Sequence, residues 1–143
     1  MPSKRVLNKT ITLFNFLGED QFGQAQYSVT YLENVAVEKI AGAKRSSYSS
    51  ISDDSVVLYV FPNSLLSYDK NGYKKAFMPY KLWKESNSKE AFWTFRENQK
   101  DFFINGVYRD GDAKKNYEAF KIQKVAYFDE GTRRMHHWEI NAL

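Results

Sequence analysis

Polar and apolar residues alternate at a period of two along much of the chain, the spacing of strands with one buried face. Thr10-Ile11-Thr12-Leu13-Phe14 alternates in this way. Asn15 to Gln24 holds Gly18, Glu19, Asp20 and Gly23 and reads as a turn or loop. Tyr27 to Leu32 alternates again, Glu33-Asn34 interrupts, and Val35 to Ile40 resumes. One long bent strand or two short ones both fit that pattern. Ser55 to Phe61 is the most apolar run, and Pro62-Asn63 stops it. Its length and β-branched content predict a central strand buried on both faces.

The second half is less regular. Residues 63–91 carry Tyr68, Tyr73, Phe77, Tyr80 and Trp83 without clean periodicity, and Pro79 breaks the segment. Irregular structure is predicted there, with one strand around Ala76 to Trp83. Ala91 to Phe95 and Asp101 to Val107 read as extended pieces. Ala113 to Ala119 fits one or two helical turns. Phe120 to Tyr127 alternates with a slip at Lys124, Phe128 to Gly131 turns the chain, and Met135 to Ile140 gives the last strand. No segment shows a sustained helical face. Short extended segments separated by turn signals predict an all-β fold, a small antiparallel β-barrel or sandwich with long loops and at most one short helix.

At 143 residues, one domain is the natural count. We divide the chain into a flexible N-terminal segment, 1–9, and a single β domain, 10–143, with a long loop at 41–54. That loop holds Gly42, five serines and Asp53-Asp54. It exceeds the usual connection length, and such loops often carry function. Aromatic residues make up 17% of the chain, too many for a disordered polymer. There is no cysteine, which removes disulfide frameworks and thiol chemistry. No apolar run approaches the roughly 20 residues of a membrane helix. Met1 to Lys9 is polar and charged, so the expected compartment is a cytoplasm. The net charge of +4 comes entirely from residues 72–143, where fourteen Lys/Arg outnumber ten Asp/Glu. Such a mild basic bias suits a partner of negative potential, or simple solubility.

Chemistry-bearing patterns are sparse. His136-His137 are strand neighbours that point to opposite faces, which disfavours a shared metal. Asp110-Gly111-Asp112 opens like a calcium loop, but Lys114 and Lys115 stand where oxygen ligands are needed. No nucleophile elbow or phosphate-binding glycine loop is present. The expectation is a non-enzyme without cofactor or metal. Two sets of interaction residues remain. In the long loop, Lys44, Arg45, Tyr48, Asp53 and Asp54 can meet a partner or face a channel. Between 68 and 84, aromatics interleave with lysines, and Lys74, Lys75, Tyr80, Lys81 and Trp83 are the candidate interface or nucleic-acid contacts.

The order of several short motifs resembles a known group. It starts with Thr10 to Asn15, then Tyr27, Leu32 and Val35, then an apolar strand ending at Pro62. Phe92-Trp93-Thr94-Phe95 and Asp101 to Gly106 follow, and then Tyr127-Phe128-Asp129, Gly131 to Arg134, and His137 to Ile140. This order resembles small virion structural proteins of tailed phages and prophages of Gram-positive hosts. The resemblance implies a neck component of the head-closure (stopper) or head–tail adaptor type. It implies a homo-oligomeric ring, hexamer or dodecamer, with portal or adaptor protein above and tail protein below. Non-specific contact with genomic DNA in the lumen would follow, without membrane contact. The implied location is the virion neck, after assembly in the bacterial cytoplasm. A tail terminator or completion protein, and an OB-like single-stranded nucleic-acid-binding module, are the alternatives.

Overall fold

The structure, a computed structural model, describes residues 7–40, 55–97, 100–109 and 118–143. Its strands are β1 (Lys9–Glu19), β2 (Ala25–Ile40), β3 (Ser55–Val60), β4 (Leu66–Tyr68), β5 (Ala76–Phe77), β6 (Phe92–Trp93), β7 (Phe102–Asn105), β8 (Ala119–Phe128) and β9 (His137–Ala142). One short helix, α1, covers Tyr80–Trp83. Six strands bond around a closed ring, β1–β7–β8–β9–β3–β2 and back to β1, with every pairing antiparallel. The expected all-β fold is thus a barrel. β4 adds to β2 outside the ring, and β5 and β6 form a separate parallel pair.

Closure depends on β2, which has to serve three neighbours. Its residues 25–35 face β1, 31–33 face β4 and 36–40 face β3. The bend between these halves falls at Asn34, whose φ is +65°. The register against β1 slips at the same point, between Lys9↔Val35 and Thr10↔Glu33. A bulged residue bends its strand and increases the local twist. Asparagine tolerates the left-handed backbone, and Nδ2 of Asn34 donates to the Ser64 carbonyl at 3.0 Å. The interruption at Glu33-Asn34 is therefore a bend in one long strand.

Side chains of one alternating phase fill the barrel. Ile11 and Leu13 of β1, Leu58 of β3, Phe103 of β7, Ile122 of β8 and Ile140 of β9 are all fully buried. β3 is buried on both faces, as its apolar run predicts. Val56, Leu58 and Val60 join the main core, while Val57 and Tyr59 join a second cluster with Ala36 and Phe61. Leu7 packs against that second cluster, and β1 starts at Lys9. Residues 1–6 lie outside the described residues, as do residues 113–117 of the helical turns expected over Ala113 to Ala119, and Ala119 itself opens β8. The slip at Lys124 is a real register shift in β8 against β9.

Residues 63–97 cover one end of the barrel. The strand expected from Ala76 to Trp83 is a correction: only Ala76–Phe77 is extended, and α1 follows. Pro79 explains the change. Its φ of −55° pre-sets a helix start, and its carbonyl accepts from the N–H groups of Leu82 and Trp83 at 2.9 Å. This turn drives Trp83 inward to 1% exposure. Trp93 packs against Phe77, Phe95 and Trp138 with ring centroids 5.1–5.9 Å apart. Each such ring removes a large apolar area from water.

Asn34→Val places a β-branched residue in the left-handed region and should cost about 1–2 kcal/mol of unfolding free energy. Asn34→Gly, which suits that backbone, should cost much less. Urea denaturation of the two variants beside the parent checks the order.

Candidate functional site

One end of the barrel, beyond the β1–β2 hairpin, gathers the polar chemistry of the described residues. A bulge in β1 shapes it. The register against β2 slips between Phe16 and Gly18, and Gly18 takes φ +133°, a region open to glycine. Leu17 is the extra residue, and it lines two neighbouring cavities.

Below this bulge lies a buried ion pair. Asp101 is fully buried, and its carboxylate accepts three hydrogen bonds. Arg96 Nη2 donates to Oδ1 at 2.6 Å, the Phe16 N–H donates to the same oxygen at 3.0 Å, and Asn15 Nδ2 donates to Oδ2 at 2.9 Å. Asn15 also holds Thr94, donating to its carbonyl at 2.8 Å. The Arg96 guanidinium lies over the Tyr80 ring at 4.8 Å and donates to its hydroxyl at 2.9 Å. Burial works against the Arg96 charge, but the Asp101 and Tyr80 hydrogen bonds outweigh it, so its pKa is raised. The cluster ties β1, the 80–96 segment and the entry to β7 together.

A second buried cation sits nearby. Lys75 is 4% exposed. Its backbone is clamped by Ser67, whose carbonyl accepts from the Lys75 N–H at 3.1 Å and whose hydroxyl donates to the Lys75 carbonyl at 2.5 Å. Nζ donates to Ser28 Oγ at 2.9 Å and to the Val29 carbonyl at 3.2 Å. Both partners are neutral. Burial pushes the amine down to about 8, although Asp69 and Glu90 pull the other way. β4 reaches only residues 31–33 of β2, so Lys75 meets a stretch of β2 that β4 leaves uncovered. A cavity of about 260 Å³ opens there, lined by Lys75, Ser28, Asp69 and Glu90 among others.

The outer face carries an aromatic platform. Phe14 stacks flat on Phe102 at 4.6 Å, and Tyr27 meets Phe16 and Phe102 edge-on at 5.6 and 5.3 Å. Lys100 Nζ lies 4.7 Å from the Phe16 ring centre. A shallow depression beside the platform is lined by Tyr27, Phe102, Lys100 and Lys121.

Residues 6–143 match a family of unknown function, DUF6751. The chain belongs to this family. No curated protein and no solved structure matches it.

In this DUF6751 chain the sequence-derived site residues separate. Lys44, Arg45, Tyr48, Asp53 and Asp54 lie outside the described residues. Lys74 and Lys81 are exposed, and Tyr80 is half-buried under Arg96. Lys75 and Trp83 are interior: the Trp83 indole donates to the Phe92 carbonyl at 3.2 Å. A buried indole offers no surface for a base to stack on, and a buried amine does not meet a phosphate on the outside. The two histidines do diverge. His137 is stacked between Phe61 and Phe128, with its ring nitrogens 2.8 and 2.9 Å from oxygens of Met135 and Glu139, while His136 turns to Tyr127. No group of three or more His, Cys, Asp or Glu able to hold a metal occurs among the described residues.

The structure adds residues that pattern reading missed. Asn15 continues the inward phase of Ile11 and Leu13, and a polar residue on an apolar phase was the available signal. Phe14 and Phe16 lie on the opposite phase: Phe14 is buried under Phe102, while Phe16 stays partly exposed beside Tyr27.

Asp101→Asn leaves Arg96 without its counter-charge and turns an amide group towards other donors. Breaking a buried pair costs about 3–5 kcal/mol, and a fall of that order in urea-derived stability is the expected outcome. Lys75 sets a pH dependence of the same sign as a carboxylate held below its ordinary pKa, but in an alkaline window. Its folded pKa of about 8 lies below the unfolded value of 10.5, so between these values the unfolded chain holds the extra proton. Stability should therefore rise from pH 8 to pH 10.5, by up to about 3 kcal/mol. Thermal or urea melts of the parent and Lys75→Met across that window check it, and the rise attributable to Lys75 should vanish in the variant.

Proposed function

We propose that this chain is a structural connector of a tailed phage particle. In this reading it is a head-closure or head–tail joining protein that forms a ring in the neck, between portal or adaptor and tail. It works in the virion and is assembled in the bacterial cytoplasm, and it turns over no substrate.

The observation that carries the reading is where the large exposed apolar side chains sit. Phe22 is 79% exposed in the β1–β2 hairpin, Tyr73 is 71% exposed in the turn after β4, and Leu82 is 62% exposed on α1. All three lie on excursions from a barrel whose own core is filled. Burial of such side chains against a neighbour is favourable at about 25 cal/mol per Å². A ring uses two different patches of each subunit, which close by rotation. Projections on a rigid body suit that task, because the barrel holds its shape while the excursions engage neighbours. The motif order from Thr10 to Ile140 points to the same class. A tail-terminator position is the nearest variant.

A second reading, a single-strand nucleic-acid module, is favoured by the platform of Phe16, Tyr27 and Phe102 beside Lys100 and Lys121. Bases stack on such rings while lysines meet phosphates.

Native mass spectrometry of the purified chain, alone and with a portal–adaptor complex, separates the two. The connector reading expects a closed ring or capture by the complex, weakened by Phe22→Ser. A monomer that ignores the complex, yet binds single-stranded oligonucleotide with a steep salt dependence, would replace it with the second reading.

A further inference from the structure

The cavity beside the uncovered part of β2 is lined by a buried amine, Lys75 Nζ. A neutral amine has two N–H donors and one lone pair, whereas an ammonium has three donors. Lys75 Nζ meets two acceptors, Ser28 Oγ and the Val29 carbonyl. In the neutral form both N–H groups are satisfied and the remaining tetrahedral position carries the lone pair. The ammonium would hold a third N–H without a carboxylate partner. The backbone of Lys75 is fixed on both sides by Ser67, so the stem is pre-positioned. The amine lines a cavity of about 260 Å³.

We propose that Lys75 is a nucleophilic amine that captures a small aldehyde or ketone entering this cavity, as a reversible imine. Nζ attacks the carbonyl carbon, a C–N bond forms and the carbonyl π pair moves to oxygen. The nitrogen proton passes through solvent to that oxygen and gives a carbinolamine. The nitrogen lone pair then expels the hydroxyl, which leaves as water once protonated, and the last N–H proton returns to solvent. The sum is amine plus carbonyl giving imine plus water, with no oxidant or reductant. An amine that titrates near 8 is neutral in about a tenth of molecules at pH 7, against roughly 0.04% for an ordinary exposed lysine. This inference is independent of the connector reading.

Lys74 is the internal reference, since it is adjacent in sequence and exposed. The native full chain is treated at pH 7 with limiting acetaldehyde and cyanoborohydride, which traps the imine as a stable ethylamine. Fragmentation of the peptide carrying both lysines reports each site. The expected result is at least tenfold faster labelling of Lys75 than of Lys74 in the folded protein, and equal labelling in 8 M urea. Labelling of native Lys75 no faster than Lys74 would overturn the proposal and leave Lys75 as a strut between the 69–77 segment and β2. A Lys75 preference that survives in urea would overturn it as well, because the reactivity would then belong to local sequence and not to the cavity.

Discussion

Closure of the barrel through the β1–β2 ladder is the constraint on which the rest depends. Each backbone N–H and C=O that leaves water needs a partner, and a ring of strands supplies partners without open edges inside the ring. β2 makes this work by bending at Asn34, so that one strand bonds β1 along most of its length and β3 at its far end. If that bend were absent, β3 and β9 would be carried away from β1 and β7, and the shared core of Ile11, Leu58, Phe103 and Ile140 would not assemble.

The second level of organisation is electrostatic. The segment from 63 to 97 contains little regular structure, so it contributes few ladder bonds of its own. It is held by side chains: Asp101 and Asn15 grip Thr94 and Arg96, while Lys75 grips Ser28 and Val29. Trp83, Trp93 and Phe95 supply the apolar part. A buried pair such as Arg96–Asp101 contributes less to net stability than to geometry, because desolvation offsets much of its attraction. Here its three-donor arrangement sets where the covering segment meets β1.

Most strands were legible in the sequence, although β1 runs on through Asn15 to Glu19, a stretch that reads as turn or loop. The alternation in Thr10 to Phe14, the long apolar run of Ser55 to Phe61 and the slip at Lys124 each correspond to a structural feature. What was illegible depends on tertiary contact. Pro79 gave a break, but nothing in the sequence shows that the chain re-enters as a helical turn carrying Trp83 inside. Lys75 looks like any surface lysine beside Lys74, since its burial is decided by Ser67 and by residues 28 and 29, some 46 positions away. The aromatic platform was hidden for a different reason. Phe14 and Phe102 come from β1 and β7, and only strand register places them in stacking contact.

The position of β9 has a consequence for how the molecule forms. It is last in chain order, yet it sits between β3 and β8 and bonds both. Until His137 to Ala142 leave the ribosome, the strongly apolar β3 lacks one of its two neighbours and the ring stays open. Synthesis must therefore run almost to Leu143 before closure, and during that interval a nascent chain exposes a sticky strand edge to its surroundings. Contacts so distant along the chain also slow the search for the native arrangement.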